Sequence, residues 1–241
     1  MSMDPSAPPI ILAIETAGNC GGAALVSESR CVAEFSLTTK GSHSTRLLPG
    51  IEWLLAQAEL GWDDLAAIAV NQGPGSFTGL RIGLATAKGL AMATERPLIG
   101  VSSLDGLACQ FPFSALPVRP VVDARKGEIY TALYNYTPDG RVKATTHALL
   151  ASPEDLAQLV RQPTLLVGDG LAAHGPRIRE LLGELALFAP PNLCFARPAA
   201  IGHAALPLFR QGIFLDPASA TPIYIRASDA ELQLGNRTSP P

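Results

Sequence analysis

The segment Asn71-Gln72-Gly73-Pro74-Gly75-Ser76-Phe77-Thr78-Gly79-Leu80-Arg81-Ile82-Gly83 constrains this chain more than any other. It joins an apolar run, residues 65–70, that reads as a strand to a stretch reaching about residue 93 that reads as a helix. Gly-Pro-Gly fits a tight turn, because glycine reaches backbone angles closed to other residues. Ser76 is placed to cap the helix. The helix then carries Gly79, Gly83 and Gly89 in its interior, each costing about 1 kcal/mol against alanine. Such a helix persists only where close packing offsets that cost.

Strand, glycine turn and helix also describe phosphate sites at helix N-termini. A Walker loop needs Gly-Lys-Ser/Thr after its first glycine and four residues, but Thr78 follows at that spacing from Gly73 and Leu80 from Gly75. A dinucleotide fingerprint needs its third glycine one residue before Gly79, and an acid after the next strand, where Ser102 and Ser103 stand. Close helix packing is the better reading.

At 100° per residue, Gly79, Gly83, Ala87 and Leu90 fall on one side of this helix, and Thr78, Ile82, Ala85, Gly89 and Ala93 on another. Only Arg81 and Lys88 form a polar strip. A helix apolar nearly all round is buried on more than one side. A sheet covers one face; the second cover is either the same domain or a partner. The preceding helix, 44–60, has a core stripe of Leu47, Leu48, Ile51, Leu54, Leu55 and Ala58. Trp53, Ala56 and Leu60 lie opposite, where a surface helix is normally polar, and Pro49 predicts a kink or a late start.

The chain has 241 residues, 47% hydrophobic and 16% charged, with a formal net charge of −3. That length supports one large or two medium domains without a metal or disulfide staple. Sparse charge favours apolar contact with a partner, and the lack of a basic run argues against direct nucleic-acid binding. Cys20, Cys31, Cys109 and Cys194 form no C-x-x-C pair, so reduced thiols in a cytoplasmic protein are expected. His43, His147, His174 and His203 have no metal-ligand spacing, and no apolar run reaches membrane-spanning length.

Strands are expected at 10–14, 21–27, 31–38, 65–70 and 97–101, then at 118–122, 129–136, 141–150 and 164–167. Helices are expected at 44–60, 76–93, from Ser152, at 171–182 and at 199–210. Each half opens with a three-strand meander whose first strand ends in an acid, Glu15-Thr16-Ala17 or Asp123-Ala124-Arg125. This layout predicts a duplicated unit, with domains at 10–104 and 105–226 and loose tails at 1–9 and 227–241.

The runs Ile11-Leu12-Ala13-Ile14-Glu15-Thr16, His43-Ser44 before Leu47-Leu48-Pro49, Gly73 through Gly83 as quoted, Ala87-Lys88-Gly89-Leu90-Ala91, Asp123-Ala124-Arg125 with Gly127-Glu128-Ile129-Tyr130, and Pro222-Ile223-Tyr224-Ile225-Arg226 together resemble the bacterial TsaB (YeaZ) family over residues 10–226. The resemblance implies an α/β fold of two tandem actin-like (RNase H-like, ASKHA) domains, each a mixed sheet flanked by helices. It implies a non-catalytic role in forming N6-threonylcarbamoyladenosine in tRNAs that read codons starting with A. A related catalytic subunit, TsaD, holds metal and nucleotide in that system. TsaB docks on it through its first two helices, and an ATPase, TsaE, joins the assembly. Partner-binding residues are then Trp53, Leu60, Gly79, Ile82, Gly83 and Ala87, with no cofactor or metal of the chain's own, tRNA met only indirectly, no membrane contact, and self-pairing of the same helices when the chain is alone. The family usually carries Asp where this chain has Glu15. Glu15, Thr16, Asp123, Gly168 and Gly170 therefore read as vestigial nucleotide loops.

The competing reading is an ATP-binding enzyme of the same fold, a kinase or ATPase or a metallopeptidase, acting alone. A direct RNA-binding module is a third. A Gly83→Arg change is expected to leave the fold intact and abolish docking.

Overall fold

Ile10–Glu15 forms β1, and all but its first residue is buried, as expected for a strand covered on both faces. The computed structural model describes residues 8–38 and 44–225. After β1 come β2 (Cys20–Val26), β3 (Cys31–Thr38), α1 (Ser44–Gln57), β4 (Leu65–Gly73), α2 (Phe77–Thr94), β5 (Leu98–Ser102) and α3 (Ser103–Ala108). The second half contains β6 (Val118–Arg125), β7 (Glu128–Thr131), β8 (Tyr134–Tyr136), β9 (Val142–Ala144), β10 (Leu149–Ala151), α4 (Pro153–Leu159), β11 (Thr164–Val167), α5 (Gly170–Leu182), β12 (Ala186–Phe188) and α6 (Pro198–Arg210). Among the described residues no helix is long and apolar enough to cross a membrane.

The first sheet has the order β3-β2-β1-β4-β5, and the second β10-β7-β6-β11-β12. In each, the central strand pairs antiparallel with the strand after it and parallel with the strand beyond the first long helix. The duplication expected from the layout is therefore present in strand order and direction. The second meander departs from expectation. The run 129–136 divides at Ala132-Leu133 into β7 and β8, and 141–150 divides into β9 and β10. Leu133 leaves the β6 ladder: its N–H donates to Thr146 Oγ1 at 2.9 Å, and its carbonyl accepts from Thr145 N at 2.8 Å. α3 and β12 are further elements the sequence reading lacked.

Alternation along the strands separates two layers on the first sheet. Leu12, Ile14, Leu25, Ile68 and Val70 face α1 and α2. Ile11, Ala13, Ala24, Val26, Ala67 and Ala69 face α6. Those alanines let α6 approach closely; a Cβ added at Gly202 would lie 2.6 Å from Val26 Cγ2. The second sheet packs α3 on one face, through Leu104 and Leu107, and α4 and α5 on the other, through Leu156 and Ile178.

The helices thus cross between halves. α6 follows the second sheet in sequence but covers the first, and residues 213–225 return along the first sheet, with Leu215 N–H donating to the Leu98 carbonyl at 2.8 Å. A boundary at 104/105 places both segments with the second domain, whereas their packing places them on the first. The reason is coverage: α1 and α2 occupy one face of the first sheet, and only α6 supplies the other. α1 starts at Ser44 with Pro49 inside it, so no late start occurs. The predicted tails and His43 lie mostly or wholly outside the described residues.

Candidate docking face and inter-domain crevice

The glycine run builds α2 onto β1. Gly73 sits at φ +106°, where glycine is required, and the Ser76 hydroxyl accepts from Gly79 N–H at 3.3 Å, as its position as cap predicts. Beyond the cap, the small residues face inward. A Cβ at Gly79 would lie 2.0 Å from the Thr16 carbonyl oxygen, and one at Gly83 would lie 2.2 Å from Thr16 Oγ1. Thr16 Oγ1 donates to the Gly79 carbonyl at 2.8 Å, and Ala87 is fully buried in the core beneath. This corrects the expectation for three residues: Gly79, Gly83 and Ala87 are occupied by the chain's own β1–β2 turn and sheet, and present nothing outward. The expectation for Gly83→Arg fails for the same reason, since an arginine there has no space in the folded domain.

The polar strip has a role that periodicity did not reveal. Lys88 Nζ donates to the carbonyls of Ala218 and Ala220 at 3.3 and 3.1 Å, and Arg81 Nε donates to the Tyr224 hydroxyl at 3.3 Å. Gln72 adds two bonds: its side chain donates to the Thr221 carbonyl at 3.1 Å and its carbonyl accepts from Ile223 N–H at 2.8 Å. The segment 213–225 is thereby strapped along a second side of α2.

The third side stays open. Thr78, Ala85, Gly89, Met92 and Ala93 are exposed and Ile82 is half-buried; a Cβ at Gly89 would meet nothing within 4 Å. α1 lies on the same face of the sheet and presents Ala56 and Trp53, the latter 56% exposed. Leu60 lies past the helix and not on it: α1 ends at Gln57, the chain turns, Leu60 N–H donates to the Leu55 carbonyl at 3.0 Å, and the half-buried Leu60 side chain packs partly on the core.

The turns at the ends of β1 and β6 face each other across a crevice of about 340 Å³, with Ala17, Ser76 and Phe77 on one wall and Asp123, Tyr130 and Asp169 on the other. Glu15 is buried beneath it. One carboxyl oxygen accepts from Ala17 N–H at 2.5 Å and the other from the Asn71 amide. Asn71 Oδ1 accepts in turn from Gly73 N–H and Ser103 Oγ, both at 2.8 Å. Burial pushes the Glu15 carboxyl up to about 7 against these hydrogen bonds, and the charge of Asp169 adds to the rise. Burial likewise raises Asp169, whose Oδ1 accepts from Asp123 N–H at 3.1 Å. Asp123 pairs with Arg125 at 3.0 Å and lies 3.6 Å from His174 Nε2. Gly168, at φ +134°, and Gly170 pack against the Val121 carbonyl, where a Cβ would come within 2.2 and 2.8 Å.

Of the residues read as vestigial loops, Asp123 lines the crevice, Glu15 and Thr16 are buried at the end of β1, and Gly168 and Gly170 pack behind Asp169 on the Val121 carbonyl. Asn71, which bonds Glu15, and Ser103, which bonds Asn71, were missed. Their signal was polar residues at the ends of two otherwise apolar strands. Among the described residues no three His, Cys, Asp or Glu side chains are grouped to hold a metal, and the four cysteines are free thiols.

Two sheets of one strand order, related by duplication and meeting at a crevice lined by the turn after each central strand, define the actin-like (RNase H-like) class. Residues 36–194 match the family model described as TsaD: tRNA N6-adenosine threonylcarbamoyltransferase. The chain is 32% identical to the tRNA threonylcarbamoyladenosine biosynthesis protein TsaB of Bacillus subtilis, over 92% of this chain and 96% of that protein. It is also 32% identical to TsaB of Escherichia coli, over 90% and 94%. The solved YeaZ of Pseudomonas aeruginosa superposes with a TM-score of 0.77 at 26% identity, covering 90% of this chain and 99% of that one. The chain belongs to the TsaB family.

Proposed function

We propose that this chain is the non-catalytic subunit of the assembly that forms N6-threonylcarbamoyladenosine in tRNAs reading codons that start with A. It docks on the TsaD-like catalytic subunit through the open side of α2 and the outer side of α1, with Trp53 and Ile82 as anchors and Ala85 and Gly89 allowing close approach. A TsaE-like ATPase joins through that complex, and tRNA is reached through the partners. The observation that carries this reading is the open stripe on α2, where small and apolar residues remain exposed after the sheet and the strap have covered the other two sides. Aromatic and small apolar residues side by side on rigid helices suit an anchored protein interface.

The crevice supports the non-catalytic part. Both oxygens of Glu15 are taken by the chain's own donors, and Asp123 and Asp169 stand opposite. Carboxylates facing one another repel a polyphosphate unless cations intervene. Arg125 is already paired with Asp123. The loops are remnants on this reading, and the enzyme acting alone is disfavoured.

The test is Gly89→Arg, whose side chain enters open space and whose helix gains up to about 1 kcal/mol from loss of the glycine. The variant should fold as the parent does and fail to co-purify with the TsaD-like subunit. Undiminished co-purification would remove α2 from the interface.

A further inference from the structure

A groove of about 690 Å³ lies on the opposite face of the first sheet from α1 and α2, between α6, α3 and the β8–β9 hairpin. Its walls differ in character. On the hairpin, Arg141 and Lys143 are two residues apart, and both line the groove. Arg141 immediately precedes β9 and Lys143 lies within it, so both cations border the groove on its hairpin side. Arg141 is steadied by Asp139, its Nε donating to Asp139 Oδ2 at 2.6 Å, while no hydrogen bond or ion pair of Lys143 occurs among the described residues. Facing them, α6 contributes Ala204, Pro207 and Leu208. Pro207 lies inside the helix and brings no N–H to the carbonyl four residues back, that of His203, which also lines the groove.

The floor adds uncharged or partnered polar groups. Asp105 accepts from the Tyr134 hydroxyl at 2.7 Å, and burial raises its carboxyl. Cys109 beside it is pushed up to about 12 by burial and so stays a neutral thiol. A concave site with an apolar wall and a few convergent polar groups is the usual form of a small-molecule pocket, and its volume falls within the range of about 300–1,000 Å³ typical of them.

We propose that this groove binds a small amphiphilic anion, with a carboxylate or phosphate held by Lys143 and Arg141 and an apolar body laid against Ala204, Pro207 and Leu208. The site is independent of the docking reading, because its walls share no residue with the open side of α2 or the outer side of α1. An anion at the hairpin gains from two neighbouring cations. An apolar body gains from the α6 wall that the hairpin leaves uncovered.

The test titrates the full chain with anilinonaphthalene sulfonate, an aromatic anion that fluoresces in apolar surroundings. The expected result is saturable binding at one site, weakened at least tenfold by Lys143→Glu, retained by Lys143→Arg and unchanged by Trp53→Ala. Benzoate and phenyl phosphate compete, and whichever displaces the dye at lower concentration identifies the head group. Absence of saturable binding overturns the proposal, as does binding that survives Lys143→Glu or is lost with Trp53→Ala. Displacement by inorganic phosphate as strong as by phenyl phosphate also overturns it, because the apolar wall would then contribute nothing.

Discussion

The two halves share a strand order but not a surface. α2 and α5 occupy equivalent places, each between the two parallel strands of its sheet, and α1 and α4 precede them. On the second half the outward residues are mostly charged or polar, Glu154, Asp155 and Gln158 on α4 and Arg177, Arg179 and Glu180 on α5, with Arg177 paired to Glu154 and Glu180 at 2.9 Å each, beside the exposed Leu159, Ala172 and Ala173. The corresponding helices of the first half expose Trp53, Ala56, Ala85, Gly89, Met92 and Ala93. The fold therefore does not require an apolar outer side on these helices. Small and apolar residues dominate the outer side in one copy and charged ones in the other, which makes the second half an internal comparison for the first.

The inner sides differ as well, and the largest expected effect lies there. Gly79 has backbone in the way, with the Thr16 carbonyl at 2.0 Å from an added Cβ, whereas Gly175 on α5 meets only the Phe188 ring edge at 3.1 Å. Gly79→Ala should cost about 3 kcal/mol or more by overpacking against backbone that cannot retreat. Gly175→Ala should stay within about 1 kcal/mol, since a ring shift and the helix preference of alanine offset each other. Urea unfolding of both variants measures the contrast, and equal costs would break it.

A second difference is the acid beneath each central strand. Glu15 is buried and titrates at about 7 instead of 4.5, whereas Asp123 is partly exposed and ion-paired. Because the folded state holds the Glu15 proton to higher pH than the unfolded state, the native protein binds more protons between those values. Stability therefore falls as pH rises from about 4.5 to about 7 and levels off above, by up to about 3 kcal/mol from this group. Asp105 and Asp169 are raised also and act in the same direction, while the lowered His203 acts against them. Denaturant melts at pH 5 and pH 8 test this. Greater stability at pH 8 would show that Glu15 is ionised in the fold.

The smallest stability effects and the sharpest functional contrast should come from the outer sides. Trp53→Ala removes an exposed ring and should leave stability within about 0.5 kcal/mol while weakening partner binding at least tenfold, about 1.4 kcal/mol. Ala173→Arg, at an exposed position of α5, should change neither. Binding of the TsaD-like subunit to immobilised variants separates the two, and a loss with Ala173→Arg would move the interface to the second half.

Much of the architecture was legible before any coordinates. The apolar runs marked β1, β4 and β5, Ser76 and Ser152 marked helix starts, and the repeated meander-then-helix layout announced the duplication. The glycine spacing showed that α2 must be approached closely, but not by what. Helical periodicity sorts Gly79, Gly83 and Ala87 from Ile82, Ala85 and Gly89, yet it is blind to which set faces inward, because both are small and apolar. Leu60 lies off the helix: a wheel assumes that the helix continues, and α1 stops at Gln57.

Local patterns are short-range, and the sequence determines what depends on them: strand and helix positions, the cap at Ser76, the demand for glycine at Gly73, and an excess of apolar helix surface beyond what one sheet covers. Contacts between residues far apart in the chain were decided only by the tertiary structure. Thr16 fills the notch at Gly79 and Gly83, α6 covers the first sheet across the expected boundary, Lys88 and Arg81 grip the returning strap, and Glu15 meets Asn71, itself held by Ser103. Each of these depends on where a distant segment comes to rest, and that is set by which layer still lacks cover once the neighbouring elements have packed.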